Sequence, residues 1–429
     1  MKKILITIFL VFSSFLNSQN PVLVGYWHNW NDSNAPYIPL NLIDSRYTVI
    51  CISFAVPTSA TNMTMNFVPD GVSQSTFISQ LQTLQSQGKK VLLSIGGANT
   101  SISLNNTSNR DLFINSMNAL INTYGFDGID IDIEHGDSIL ASGTITNPTA
   151  VDCTNLIYAI NQIKTNFYTT FSHPMILSFA PETAYVQGGM SAYGGIWGGY
   201  LPLLHALRND INYVHVQLYN SGSVYGIDGT IYNQGTADFI VAMSEALIQG
   251  FNTSGGFFQG FPANKVVVGL PACPSAAGGG FVSATIVENA VKYLRGQGPQ
   301  PGTYVLNQVD GYPNLGGMMT WSINWDKVST CNTTAYAYAQ NYELLFGSPL
   351  NINNQNFEDT ALRISPNPCQ NIVSILTIDK EENYVIVDVI GQVVQKGTIS
   401  KNELLAVENL EVGIYFMKIK NSTLKFIKK

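Results

Sequence analysis

Asp127-Gly128-Ile129-Asp130-Ile131-Asp132-Ile133-Glu134 decides how this chain folds. Isoleucine at every second position gives period-two alternation, and β-branched side chains favour strand. The alternation sends Asp130, Asp132 and Glu134 to one face and Ile129, Ile131 and Ile133 to the other. Three acids stacked on one face cannot all ionise cheaply, so at least one must keep its proton toward neutral pH. A carboxylic acid in that state is what general acid catalysis needs. A metal site and a solvated acidic edge are the competing readings. Calcium loops intersperse Gly, Asn and Asp, which an isoleucine ladder does not, and a solvated edge has no need of Ile at alternate positions. Asp127, of opposite parity, is expected to support the strand end. No metal and no cofactor are expected.

Outward from this stretch, strand-like runs recur with helical patterns between them. They read Val22-Trp27, Tyr47-Val56, Lys90-Ile95, Phe126-Glu134, Pro174-Pro181, Tyr213-Tyr219, Lys265-Leu270 and Gly316-Ser322. Several are continuously apolar, as parallel strands covered by helices are. Amphipathic stripes fill the gaps, among them Phe77, Leu81 and Leu84, then Leu112, Phe113, Met117, Leu120 and Ile121. Leu156 to Phe167, Phe239 to Phe251 and Thr285 to Leu294 continue the series. Eight strand–helix units in about 330 residues predict an α/β fold, a (β/α)8 TIM barrel over 20–349. A doubly wound sheet is the competitor, but acids at a strand's C-terminal end favour the closed barrel.

Residues 1–19 read as a signal peptide, with Lys2 and Lys3 ahead of a short apolar run. No later stretch is apolar for long enough to span a bilayer, so export as a monomer without a membrane span is expected. Charged residues make up 11% of the chain and its net charge is -7, which opposes nucleic-acid binding and suits a neutral, hydroxyl-rich polymer. Five cysteines are too few for a disulfide scaffold. Cys273 and Cys331 each follow a late strand and could pair, while Cys51, in an apolar strand, reads as a buried thiol.

Composition shifts after Phe346. Residues 350–361 are polar and linker-like, and 362–429 form a small all-β C-terminal domain of alternating strands and tight turns. Nine basic residues face seven acidic ones there, with no acidic cluster and no obvious aromatic platform. Ser365-Pro366-Asn367-Pro368, the turn Asp388-x-x-Gly391-Gln392, Gly413-x-Tyr415 and the terminal Lys425-Phe426-Ile427-Lys428-Lys429 resemble the C-terminal sorting domain of type IX secretion cargo. That resemblance implies outer-membrane export through the type IX secretion machinery, with the module cleaved off. Cys369 has no place in the pattern, and a carbohydrate-binding module is the alternative.

The acid-bearing octapeptide resembles the Asp-x-x-Asp-x-Asp-x-Glu signature of glycoside hydrolase family 18, the chitinases and their relatives. Leu93-Ser94-Ile95-Gly96-Gly97 is similar to the family's Ser-x-Gly-Gly motif. The resemblance implies chitin or N-acetylglucosamine oligosaccharides as substrate. Glu134 would be the general acid, Asp132 would orient the acetamido group, Asp130 would modulate Asp132, and Tyr219 would bond the acetamido oxygen. Family 18 departs from the two-carboxylate scheme because the substrate's own N-acetyl oxygen attacks the anomeric carbon. Trp321 would floor the site. Strand ends add Tyr26, Trp27, Phe54, Gly97, Glu182, Gln217 and Asn220 as substrate-binding candidates, since aromatic faces stack on pyranose rings and amides bond sugar oxygens. His28 and His205 read as structural or peripheral.

Gln217-x-Tyr219-Asn220, and the short run from Pro271 to the helix near Ser283, resemble the bacterial subfamily without an inserted α+β domain. An open groove and cleavage within the polymer are implied. The family also leads us to expect non-proline cis bonds at Ser53-Phe54 and Trp321-Ser322. An endo-β-N-acetylglucosaminidase acting on N-glycans and a non-catalytic chitin-binding lectin share the fold. The lectins usually lack the terminal acid, and Glu134 is present.

Overall fold

The computed structural model describes residues 20–134, 139–332, 334–347, 363–376, 380–400, 403–420 and 422–429. The expected signal peptide and linker lie outside the described residues. The chain divides into two compact units, with the boundary between Asn351 and Ile352.

The first unit is a parallel barrel. Its strands are β1 (Val22–His28), β2 (Val49–Ser59), β3 (Lys90–Gly96), β4 (Gly128–Asp132), β5 (Ile176–Phe179), β6 (Tyr213–Val214), β7 (Val267–Pro271) and β8 (Gly317–Trp321). They pair in the order β7-β8-β1-β2-β3-β4-β5-β6. Two isolated parallel bridges, Val214 to Val266 and Gln217 to Gly269, close the ring. All eight strands therefore lie where the apolar runs predict them.

The predicted stripes are helices packed on the outside. They run Gln74–Ser86, Thr107–Tyr124, Val151–Phe171, Ala237–Gln249 and Ala284–Leu294, joined by a short helix Leu201–Ala206 and a last one Ala337–Phe346. Ser73, Asn106 and Thr236 cap three of them by accepting from backbone N–H groups of the first turn. The first unit departs from the expected strand–helix repeat. Among the described residues, β1 and β2 are joined by only a 3₁₀ turn, Leu40–Leu42. Pro36 and Pro39 amid Asn and Ser deny that segment a helix. Ile38, Leu40 and Ile43 nevertheless bury themselves and seal the barrel wall there. Hairpins the sequence did not announce occupy two loops, Ser223–Tyr225 with Ile231–Asn233 and Phe251–Thr253 with Gly256–Phe258.

The parity of β4 is as read. Ile129, Ile131 and Ile133 are buried in the layer between strands and helices, where the main core lies. Asp130 and Asp132 point into the lumen, 0% and 2% exposed. Gly128 starts the strand because a Cβ there would sit 1.9 Å from the Ile176 carbonyl oxygen of β5. Asp127 holds the strand's entry, its Oδ2 accepting from the Val91 N–H at 2.8 Å and the Gln85 amide at 3.0 Å.

The second unit is all-β. A three-stranded sheet (Arg363–Ser365, Ile372–Leu376, Leu404–Ala406) and a four-stranded sheet (Glu382–Val387, Val393–Ile399, Gly413–Ile419, Ser422–Lys428) share one apolar core. Asp388 Oδ1 accepts from the Ile390 and Gln392 N–H groups, and Gly391 takes φ 87° in the same turn. Cys369 is a buried thiol whose backbone pairs with the terminal strand.

Candidate active site

The strand register builds the centre of the site. Ser94 of β3 and Ser178 of β5 lie directly beside Asp130 of β4. Their hydroxyls donate to Asp130 at 2.8 and 2.6 Å, and the Tyr26 hydroxyl donates to it at 2.6 Å. His215 Nε2 stands 3.4 Å from the same carboxylate. Burial alone would push the Asp130 carboxyl up. The His215 contact and the Ser178 and Tyr26 hydroxyls outweigh it and hold the group below the usual carboxylate range.

Asp132 sits one step nearer the mouth and behaves oppositely. Burial first, then the charges of Glu134 and Asp130, push its carboxyl well above the usual range, although a hydrogen bond from Gln217 opposes them. A hydrogen bond to Glu134 adds to the rise. Gln217 Nε2 spans the two acids, at 2.9 Å from Asp132 Oδ1 and 3.2 Å from Glu134 Oε1, and also donates to the Ala180 carbonyl. The row thus runs from a carboxylate anchored by donors at its foot to two acids bridged by one amide at its mouth.

Glu134 lies just beyond the regular pairing of β4 and is mounted by two phenols. Tyr200 Oη accepts from the Ile133 N–H at 3.0 Å and donates to the Ile133 carbonyl at 2.8 Å. Tyr185 Oη donates to the Glu134 carbonyl at 2.8 Å.

A cleft of about 890 Å³ opens over the row. Glu134, Phe54, Gly97, Gln217, Tyr219, Asn220 and Trp321 all line it, so the structure gathers these predicted residues in one place. Trp321 stacks on Phe54 with centroids 5.8 Å apart and planes 9° from parallel. Tyr219 is buried, and burial together with the nearby acids raises its phenol well above the ordinary value. Gly97 takes φ 82° against the Phe54 ring, where a Cβ would meet that ring at 2.6 Å. Both expected cis bonds, Ser53-Phe54 and Trp321-Ser322, are present.

Three candidates sit away from the cleft lining, and a fourth is tied to a neighbouring loop. Trp27 faces the helices, 0% exposed, with its indole donating to the Ile38 carbonyl and its ring against Tyr37 and Phe77. It is core, because its parity is opposite to that of Tyr26. Tyr26 is inward but buried beneath the cleft, where its hydroxyl serves Asp130 rather than a ligand. Glu182 ends β5 beside Gln217 yet is not among the lining residues. Asn220 does line the cleft, but its Oδ1 accepts from the Gly279 N–H at 3.0 Å, which ties it to the loop after β7.

Two features escaped the sequence reading, and a third had been left open by it. Asn29 and Trp30 line the cleft from the loop after β1, with Trp30 stacked on His28 at 4.6 Å. Their position after a strand end was the available signal. His215 went unremarked although it shares parity with Gln217 and Tyr219. Cys273 and Cys331 do pair, Cα atoms 5.7 Å apart, and the bond tethers the loop carrying Ser275 to Gly278 on the cleft wall.

The histidine also belongs to a trio in which Cys51, Asp130 and His215 offer ligand atoms within 4.8 Å of one another. Both Asp130 oxygens are already engaged by hydroxyls, so the trio fits a hydrogen-bonded network better than a cation.

Residues 363–429 match the profile described as the secretion system C-terminal sorting domain. Chitinase Chi52 of Paenibacillus xylanexedens is 46% identical over 309 residues, and Chitinase D of Niallia circulans is 46% identical over 310. Each alignment covers 71% of this chain and 58% of the relative, so the chain spans a little over half the length of these curated relatives. The crystal structure of a family GH18 chitinase from Chromobacterium violaceum superposes with a TM-score of 0.68 at 37% identity, covering 76% of this chain and 83% of that one. With an acid row at the mouth of a closed parallel barrel, and a profile match from residue 22 to 346, the chain belongs to the glycosyl hydrolases family 18.

Proposed function

We propose that this chain is a secreted chitinase that hydrolyses β-1,4-linked N-acetylglucosamine polymers with retention of configuration. The observation that carries the reading is the pair of bridged acids. Asp132 and Glu134 are bridged by one Gln217 amide at the edge of a cleft floored by Trp321. Glu134 is the member that reaches the cleft, and it protonates the departing glycosidic oxygen. Asp132, raised by burial and then by the neighbouring acids, orients the acetamido group, whose oxygen attacks the anomeric carbon. Tyr219 holds that oxygen, and Asp130 stays anionic below them. Trp321, Phe54 and Trp30 offer aromatic faces to the sugar rings.

The loop from Ala272 to the helix at Ala284 carries only one 3₁₀ turn, Pro274–Ala276, so it raises no tall wall beside the cleft. This supports an open groove and cleavage within the chain. The domain plan is a signal peptide (1–19), catalytic barrel (20–349), linker (350–361) and sorting domain (362–429), with delivery to the cell surface or medium. Type IX machinery is the partner.

Incubating purified protein with chitin hexamer and with a high-mannose glycoprotein tests the substrate. Early release of internal fragments from the hexamer is expected. Trimming of the glycoprotein with the hexamer left intact would favour an N-glycan endo-β-N-acetylglucosaminidase, and binding without products would favour a lectin.

A further inference from the structure

We propose that His215 is a positioning residue that donates Nε2–H to Asp130 and so holds the foot of the acid row as an anion beneath Asp132 and Glu134. The inference rests on the hydrolytic reading of the acid row, and goes beyond it to a residue that touches no substrate.

The geometry starts from the carboxylate. Asp130 is wholly buried and already accepts three hydroxyl protons, from Tyr26, Ser94 and Ser178. A carboxylate offers about four lone-pair sites, so one direction remains. His215 Nε2 faces it at 3.4 Å. A bare nitrogen there would set its lone pair against an anion, which is repulsive. A protonated nitrogen turns the same contact into a charge-assisted donor. Neither ring nitrogen has a formed hydrogen bond among the described residues, and Nε2 is the one that faces a carboxylate, so a proton placed there gains a partner.

The surroundings leave His215 as the group able to do this. The inward-facing residues nearby are Tyr26 of β1, Cys51 of β2, Ser94 of β3, Asp130 and Asp132 of β4, Ser178 of β5 and Tyr213 of β6. From β7 and β8 come Val267 and Met319, which bring no charge. The Tyr26 ring meets the imidazole edge-on, at 6.0 Å and 76°, and fixes its plane. No lysine or arginine stands among these residues, so the foot of the row depends on neutral hydroxyls and one imidazole. If that donor is lost, a second proton can settle on Asp130. Asp132 then loses part of the charge that keeps its own proton in place.

Two measurements test this. In nitrogen-15 NMR of histidine-labelled full-length protein, His215 Nε2 should carry a proton across the active pH range. A bare Nε2 with the proton on Nδ1 overturns the proposal. Profiles of kcat/KM against pH on chitin hexamer form the second arm. In His215→Leu the acid limb should move up by about one pH unit, the low end for a lost charge-favouring partner. His215→Gln, which returns an amide donor, should bring it back toward wild type. Superimposable normalised profiles for wild type and His215→Leu overturn the proposal, even if activity falls uniformly. Should neither variant fold, the NMR result decides alone. A wild-type protein inert on chitin defeats the hydrolytic reading, while the tautomer still judges the contact.

Discussion

The lumen of the barrel and its helical shell both bury carboxylates, and they satisfy them in different ways. In the shell, Glu245 on the helix Ala237–Gln249 accepts from the Tyr304 and Tyr312 hydroxyls, each at 2.7 Å, and from the Asn307 N–H at 3.0 Å. Asp326 accepts from the Tyr47 hydroxyl at 2.6 Å and from the Tyr338 and Ala339 N–H groups. Each shell acid stands alone and ties a distant loop or helix to its own element. In the lumen, three acids stand in a row, and donors satisfy the lowest fully while the upper two must share. A buried acid surrounded by enough donors is a fastening. A buried acid crowded by its own kind is a reagent.

The strongest way to break this contrast is to exchange the expected phenotypes. Glu134→Gln should lower kcat on chitin hexamer by about 10²–10⁴, with the thermal midpoint unmoved. Near-wild-type turnover would remove the acid assignment. Glu245→Ala should do the reverse. It strands two buried phenols and the Asn307 and Gln308 N–H groups, costing about 3–5 kcal/mol in urea unfolding, while activity per folded molecule stays at the wild-type level.

Asp326 sharpens the contrast through pH. Burial lifts its carboxyl from 3.8 to about 6, against the opposing bonds from Tyr47, Tyr338 and Ala339. The folded chain therefore holds this proton where the unfolded chain has released it. Its stabilising contribution is whole below the unfolded value and is lost as pH rises to about 6, a change of at most about 3 kcal/mol. Asp326→Asn should flatten that part of the stability profile between about pH 4 and 6, measured by urea midpoints. His28 runs the other way, since burial lowers it from 6.5 to about 4 and its contribution is lost as pH falls across that interval. Its slope should survive in the Asp326→Asn protein. The smallest effect belongs to Trp321→Ala, which should reduce kcat/KM by about ten- to a hundredfold, as expected for losing 1.5–3 kcal/mol of apolar contact, mostly through KM.

The barrel was legible because its strands are continuous apolar runs and its helices carry one buried stripe each. Parity did the rest for the acids, whose lumen positions follow from three alternate isoleucines. The same arithmetic, applied to Tyr26, would have turned Trp27 to the shell and brought His215 in with Gln217. The missing helix after β1 was foreshadowed by Pro36 and Pro39, whose effect was outweighed by the expectation of a regular repeat. Asn220 could not be placed from sequence, since its partner Gly279 lies on a loop more than fifty residues away. The fastening roles of Glu245 and Asp326 were equally hidden, because their donors come from tyrosines distant in sequence.

Tyr185 and Tyr200 come from the stretch that follows β5, yet they clasp the main chain of Ile133 and Glu134. Glu134 is therefore carried on a bracket supplied by a neighbouring loop rather than on sheet pairing. Anything that loosens that bracket can carry the Glu134 carboxyl away from the cleft without touching whatever the cleft holds. Differences in turnover among otherwise identical clefts can be written in those two phenols.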